Sequence, residues 1–201
     1  ISATYYFKYF LDAESKSQIF NILGTVALII AIPMTKPLVK KFGAKQLYIV
    51  CSLLSGFCFC LLFFAGKNFV LINIFNCLGK IAYAPAISLL WTMLADAADY
   101  GDWKFQRRTT GLCLSAAVFA QKIGWSIGAA LFGAIMSAVH FDANLGLQQI
   151  QNTPEIMSSI HWLFGIVPGV LYASCAIFLA FYNLDTKTLQ QMKSELEQRT
   201  E

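Results

Sequence analysis

Two stretches of this 201-residue chain, 47–65 and 162–182, run for 19 and 21 residues without one charged side chain. A helix crosses the hydrocarbon core of a bilayer with ~20 apolar residues, so each stretch is long enough to span it. Runs of this kind have no place on a water-facing surface. With 57% hydrophobic and 13% charged residues overall, the chain is read as an all-α integral membrane protein. A membrane β-barrel would show alternating segments of ~10 residues, and none is visible. The formal charge of +4 does not point to nucleic acid, because the basic residues lie between apolar runs and form no single basic face.

Taken in order, residues 1–11 read as the end of a span, with Tyr5, Tyr6 and Tyr9 forming an interfacial belt. The opening ISATYYFKYFL is already apolar, carries no basic leader and reads as cut within a helix. Complete spans are expected at about 18–35, 47–65, 69–95, 109–139 and 160–183. One partial and five complete spans thus make a bundle over 1–183, followed by a cytoplasmic tail over 184–201. Pro33 and Pro37 are expected to end the second span, leaving KPLVKKFGAK as a basic loop turning at Gly43. Thr153, Pro154 and Glu155 make a helix start, with a cap, a first-turn proline and an early acid. In the tail, Leu189, Met192 and Leu196 have the spacing of a short amphipathic helix.

Positive charge sets the orientation. Loop 36–45, loop 104–108 and the tail alternate onto one side and hold ten of the fifteen Lys and Arg residues. The opposite side has Lys8, Lys16 and Lys67, so the basic loops and the C-terminus are expected in the cytoplasm. The six cysteines (51, 58, 60, 77, 113, 175) lie in or beside apolar runs, form no CxxC pair, and read as small packing residues.

Two lysines fall at membrane depth. Lys122 lies near the middle of its span, where an ionisable group costs on the order of 3 kcal/mol unless water or a partner meets it. Ser115, Phe119, Lys122, Ser126 and Ala129 share one helical face. Ala116, Ala120, Gly124 and Gly128 form a small-residue ridge roughly opposite, which invites a neighbouring helix and leaves Lys122 aimed at a polar cavity. In the preceding span Asn73, Asn76, Lys80, Ile87 and Trp91 fall within about 60° on an ideal wheel, with Pro85 bending the helix between them. A stripe of amide, amine and indole suits a sugar, whose hydroxyls take donors and acceptors while its apolar face stacks on a ring. The same pattern equally describes amides joining helices with Trp91 as core.

The densest charge lies in 90–111, LWTMLADAADYGDWKFQRRTTG, which sets Asp96, Asp99 and Asp102 against Lys104, Arg107 and Arg108. Asp96 and Asp99 are three apart at the expected end of a span, where the helix dipole disfavours acids. They call for cations, and Lys45, Arg107 and Arg108 are the candidates for a cytoplasmic gate of ion pairs. No nucleophile, phosphate loop or metal-ligand spacing stands out, so no enzyme is expected and no cofactor. His140 and His161 read as ordinary interfacial histidines.

The segment LLWTMLADAADYGDWKFQRRTTGLCLSAAVFAQKIG resembles the helix 10–loop–helix 11 region of the glycoside–pentoside–hexuronide:cation symporters, within the major facilitator superfamily. The resemblance runs along the whole chain and implies the C-terminal six-helix half of a twelve-span carrier in a bacterial inner membrane. It also implies alternating access, a sugar held between two halves, and Na⁺ or H⁺ as coupling cation. On this likeness Lys122 matches the family's helix-11 lysine near the sugar and cation sites. Asp96, Asp99 and Arg108 match its cytoplasmic charge network, with Lys45 in the place of a basic residue that joins it. Ala117 stands where melibiose-type members have a glutamine, and their tryptophan falls at Ile87 in this chain, which disfavours a melibiose-like galactoside. The implied partners are a small sugar, the N-terminal half and the lipid bilayer. The alternative is a truncated or non-transporting membrane module that binds or senses sugar.

Overall fold

In hydrocarbon no water is present to satisfy the backbone, so each apolar run must pair its own amides and carbonyls as a helix. The computed structural model describes residues 2–106, 110–141, 154–181 and 186–198. Every regular element among them is helical. Helix α1 (Ser2–Tyr5) widens into a π-helical turn, Tyr6–Phe10. Helix α2 (Glu14–Ala31) passes through a tight turn at Ile32–Met34 into α3 (Thr35–Phe42). Then follow α4 (Ala44–Phe64), α5 (Phe69–Phe105) and α6 (Thr110–Ala138). Helices α7 (Pro154–Phe164), α8 (Ile166–Ala180) and α9 (Thr186–Gln198) come last among the described residues. Among the described residues five stretches are long and apolar enough to cross a membrane: Glu14–Phe42, Ala44–Phe64, Phe69–Phe105, Thr110–Ala138 and Pro154–Leu179.

Helix is more continuous than the sequence pattern implied. The basic segment 36–45 is mostly helix α3, because Pro33 and Pro37 both sit in the first turn of a helical piece, where no N–H is required. The chain reverses only at Gly43, whose φ of +77° suits glycine. Likewise α5 does not stop near residue 95. It runs 37 residues to Phe105, carrying Asp96, Asp99 and Asp102 on helical turns, and ends at Gln106 in the left-handed region. Its start is fixed by Asn68, whose side-chain oxygen accepts from the backbone N–H of Val70 and Leu71 at 3.1 and 3.3 Å. The last spanning stretch begins at Pro154, with Glu155 in its first turn, and is interrupted at Gly165.

Helix α4 sits centrally, packed between α5 and α8, and α5 packs on its far side against α2. Glycine makes the α4–α8 seam close. A Cβ at Gly56 would lie 2.6 Å from the Gly169 carbonyl oxygen, and one at Gly165 would lie 2.8 Å from the Phe63 nitrogen. Small residues at 165, 169 and 173, one turn apart, let the two backbones touch. Among the described residues no backbone lies on the other expected ridge, Ala116–Ala120–Gly124–Gly128: a Cβ at Gly124 or Gly128 would meet nothing within 4 Å.

Two clusters fill the interior. At one end Tyr6, Phe7, Phe20, Phe59, Leu62, Ile72, Ile160 and Phe164 pack together. Tyr6 and Phe7 are fully buried. The Tyr6 ring stacks on Phe164 at 4.0 Å, and its hydroxyl donates to the Gly66 carbonyl. Tyr6 and Tyr9 are therefore core and no interfacial belt: both rings are buried, and the Tyr6 hydroxyl has a partner that offsets the cost of burying it. His161 joins the same aromatic cluster, stacked on Phe63 at 4.4 Å. At the other end Leu47, Tyr48, Cys51, Ala86, Leu89 and Met93 seal α4 against α5, with Leu38 and Val39 of α3 resting on them. All six cysteines are free thiols.

Candidate functional site

Lys122 lies halfway along α6, whose single buried residue is Met136. Its side chain is exposed, and its amine sits 4.8 Å above the ring of Trp125, one turn on. A cation over an indole face gains only about 0.5–1 kcal/mol at an exposed site. Ser126 donates to the Lys122 carbonyl at 3.0 Å, and Ser115 donates to the Leu112 carbonyl at 3.0 Å. Both hydroxyl protons are thus held by their own helix, while each oxygen keeps lone pairs to accept with. Nothing in the described residues locks Lys122 against a neighbouring helix. Among the described residues α6 touches α5, α7 and, through Phe132 against Tyr5 at 4.9 Å, α1 with a small part of its surface.

The stripe on α5 is divided by the helices beside it. Asn76 is 1% exposed and donates at 2.9 Å to the Phe20 carbonyl of α2. Gly24 lies against it: a Cβ there would come within 2.7 Å of the amide nitrogen. Asn73 donates to the Phe69 carbonyl of its own helix at 2.8 Å. One turn beyond Asn76, Lys80 leans the other way, toward α4, with its amine 5.9 Å from the Phe59 ring centre. Phe59 stacks on Tyr172 of α8 at 5.0 Å, and Tyr172 meets Tyr83 edge-on at 5.0 Å. Trp91, past Pro85, is 41% exposed. Residues that share an arc on the wheel therefore enter three environments, because the arc straddles the groove between α2 and α4. Asn76 works as the amide that joins helices.

The charged end of α5 is built differently from the expected loop. Asp96 is 8% exposed, two turns and more before the helix terminus, so the dipole argument applies to Asp102 in the last turn and not to Asp96. What makes Asp96 demand a partner is burial, since a carboxylate removed from water is costly unless paired or hydrogen-bonded. Asp96, Asp102 and Lys45 all make interactions in the structure. Asp99 is partly exposed on the next turn. Arg107 and Arg108 lie outside the described residues.

A contact that the sequence pattern did not reveal closes this end. The Trp103 indole N–H donates to a carboxylate oxygen of Glu195 at 2.7 Å, across 92 residues of chain. Gln191 donates to the other oxygen at 2.9 Å. Met192, on the same helix, is fully buried. The amphipathic spacing of the tail marked Met192 as an inward residue, but no signal in the sequence joined Glu195 to Trp103. A groove of about 570 Å³ between α6 and α7–α8, lined by Ile135, Val139, Ser158 and Trp162 among others, holds none of the candidate residues.

This arrangement, an amine exposed on an apolar spanning helix and a buried acid toward one end of the helix before it, occurs in a chain that matches a known family almost throughout. The model of the MFS/sugar transport protein family covers residues 1–186. A putative glycoside/cation symporter of Escherichia coli is 30% identical over 201 residues, covering 96% of this chain and 42% of the relative. An isoprimeverose transporter of Lactiplantibacillus pentosus is 30% identical over 197 residues, covering 97% and 40%. An uncharacterized 29.9 kDa protein of Pseudescherichia vulneris is 32% identical over 160 residues, covering 79% and 57%. The chain spans about half the length of these relatives. With helices able to cross a membrane and a match along nearly its whole length, the chain belongs to the MFS/sugar transport protein family, the sugar symporters of the major facilitator superfamily.

Proposed function

We propose that this chain is the C-terminal six-helix half of a twelve-span sugar:cation symporter of a bacterial inner membrane. The observation that carries the reading is α6: a spanning helix most of whose surface, Lys122 included, is left open by the other described helices. An ammonium on such a helix needs water or polar partners. A small-residue ridge on the same helix needs another backbone beside it. An N-terminal half, closing a watery passage against this one, supplies both. The relatives named for glycoside and isoprimeverose transport support a sugar as substrate.

In this reading the sugar binds between the halves, where Lys122 donates to it or balances the acids of a cation site across the interface. Ser115 and Ser126 offer acceptor oxygens on the same face, Trp91 a ring for stacking, and Lys80 a second amine deeper in the bundle. Binding of sugar with Na⁺ or H⁺ shifts the equilibrium between inward- and outward-open states by its differential affinity for them. Asp96 and Asp99, with Lys45, Arg107 and Arg108, close the cytoplasmic side in one state and part in the other. The positive-inside rule places that end and the C-terminus in the cytoplasm.

The test is uptake of labelled sugar by cells or vesicles containing the full-length carrier. Lys122→Ala is expected to abolish accumulation while protein abundance in the membrane stays unchanged. Near-normal accumulation by that variant removes Lys122 from the mechanism.

A further inference from the structure

Helix α3 presents three lysines, Lys36, Lys40 and Lys41, all exposed. At 100° per residue they cover an arc of roughly 140°, and Leu38, Val39 and Phe42 fill the opposite side. Leu38 and Val39 rest on the Leu47–Met93 cluster, which fixes the helix with its basic side outward. Phe42 and, just before the helix, Met34 and Ile32 remain 48%, 55% and 39% exposed. The chain has no Asp or Glu between Glu14 and Asp96. Among the described residues none of the three lysines has an acidic partner; the Lys41 amine lies 5.4 Å from the Phe42 ring centre. The continuous stretch Glu14–Phe42 is 29 residues long, or about 43 Å as helix. That matches a bilayer with its headgroup layers, about 40–45 Å. Its last turns, which are α3, then stand at headgroup depth.

We propose that α3 is a binding site for anionic phospholipid headgroups, with Lys36, Lys40 and Lys41 on the phosphates and the deeper Met34 and Ile32 among the adjoining acyl chains. Basic charge beside exposed apolar side chains at the end of a spanning helix is the combination that fits an anionic lipid. A zwitterionic headgroup answers only half of it, and a soluble anion leaves the apolar part uncovered. The site goes beyond sugar transport, and its test reads lipid binding whatever the carrier moves.

The test titrates phosphatidylglycerol or phosphatidylcholine into detergent-purified full-length carrier and follows the bound lipid by native mass spectrometry. Near-surface lysines contribute on the order of 1 kcal/mol each. Lys36→Gln, Lys40→Gln and Lys41→Gln together are therefore expected to weaken phosphatidylglycerol binding roughly a hundredfold. The corresponding triple arginine variant should keep it, and phosphatidylcholine should be indifferent to both changes. A triple glutamine variant that melts normally yet binds phosphatidylglycerol as tightly as the parent overturns the proposal. So does equal binding of the two lipids, displacement by millimolar inorganic phosphate, or an acidic peptide that competes at lower concentration than the lipid.

Discussion

Gly169→Ala places one methyl group where two backbones meet. The new Cβ would lie 2.8 Å from the Gly56 oxygen and 2.9 Å from the Cys60 nitrogen, whereas ordinary contact begins at 3.4 Å. It would also lie 2.4 Å from the Cys60 sulfur, which a side-chain rotation relieves, but the backbone atoms have no such freedom. Helices α4 and α8 must therefore part by roughly half an ångström. A gap of that size forfeits about a quarter of the dispersion well of each affected atom pair. Overpacking of this kind costs about 1–3 kcal/mol. Alanine returns up to about 1 kcal/mol of helix propensity. A net loss of about 1–2 kcal/mol is expected in denaturant unfolding of the full-length carrier followed by circular dichroism. Adding Cys60→Ala should restore little of it. Gly133→Ala on α6, where a Cβ meets nothing within 4 Å among the described residues, should be neutral or slightly stabilising. If Gly169→Ala is tolerated like Gly133→Ala, or if Cys60→Ala restores it fully, backbone contact does not hold this seam.

Asn76→Ala removes the amide that bonds the Phe20 carbonyl and should cost about 1–2 kcal/mol of stability. Equilibrium sugar binding should not change, and a weakened binding constant would return Asn76 to the substrate face. Trp103→Phe takes away the donor to Glu195. It is expected to loosen α9 by about 1 kcal/mol, since the pair is partly exposed, and limited proteolysis should then cut within 186–198 several-fold faster. An unchanged cleavage rate would mean that the burial of Met192 alone seats the helix. Asp96→Asn should slow sugar exchange across the membrane severalfold more than it weakens binding, and an unchanged exchange rate would contradict the gate.

Much of the architecture was legible because hydrocarbon imposes so few choices. Uncharged runs of about 20 residues must be helices that cross, and the linear sequence shows them directly. The ends of those helices were less legible. Prolines at 33 and 37 look like terminators, yet each occupies a first-turn position. Charge at 96–105 looks like loop, yet a helix can extend beyond the bilayer with its acids on successive turns. The family likeness rests on a local segment with an unusual order of charges and glycines, which is why it survived these misplaced ends.

The sequence by itself determined the membrane class, the presence of Lys80 and Lys122 in spans without acids, and the small residues that let helices approach. Tertiary structure alone decided where each pattern is used. Helical periodicity assigns a residue an angle but not a neighbour, so Asn76 and Lys80 share an arc and still face α2 and α4 respectively. For the same reason the close seam formed at Gly56 and Gly169 instead of along α6, and Trp103 met Glu195 across 92 residues. Which helix stands beside which is fixed by the sum of all packing contacts, and that sum is not written in any one segment.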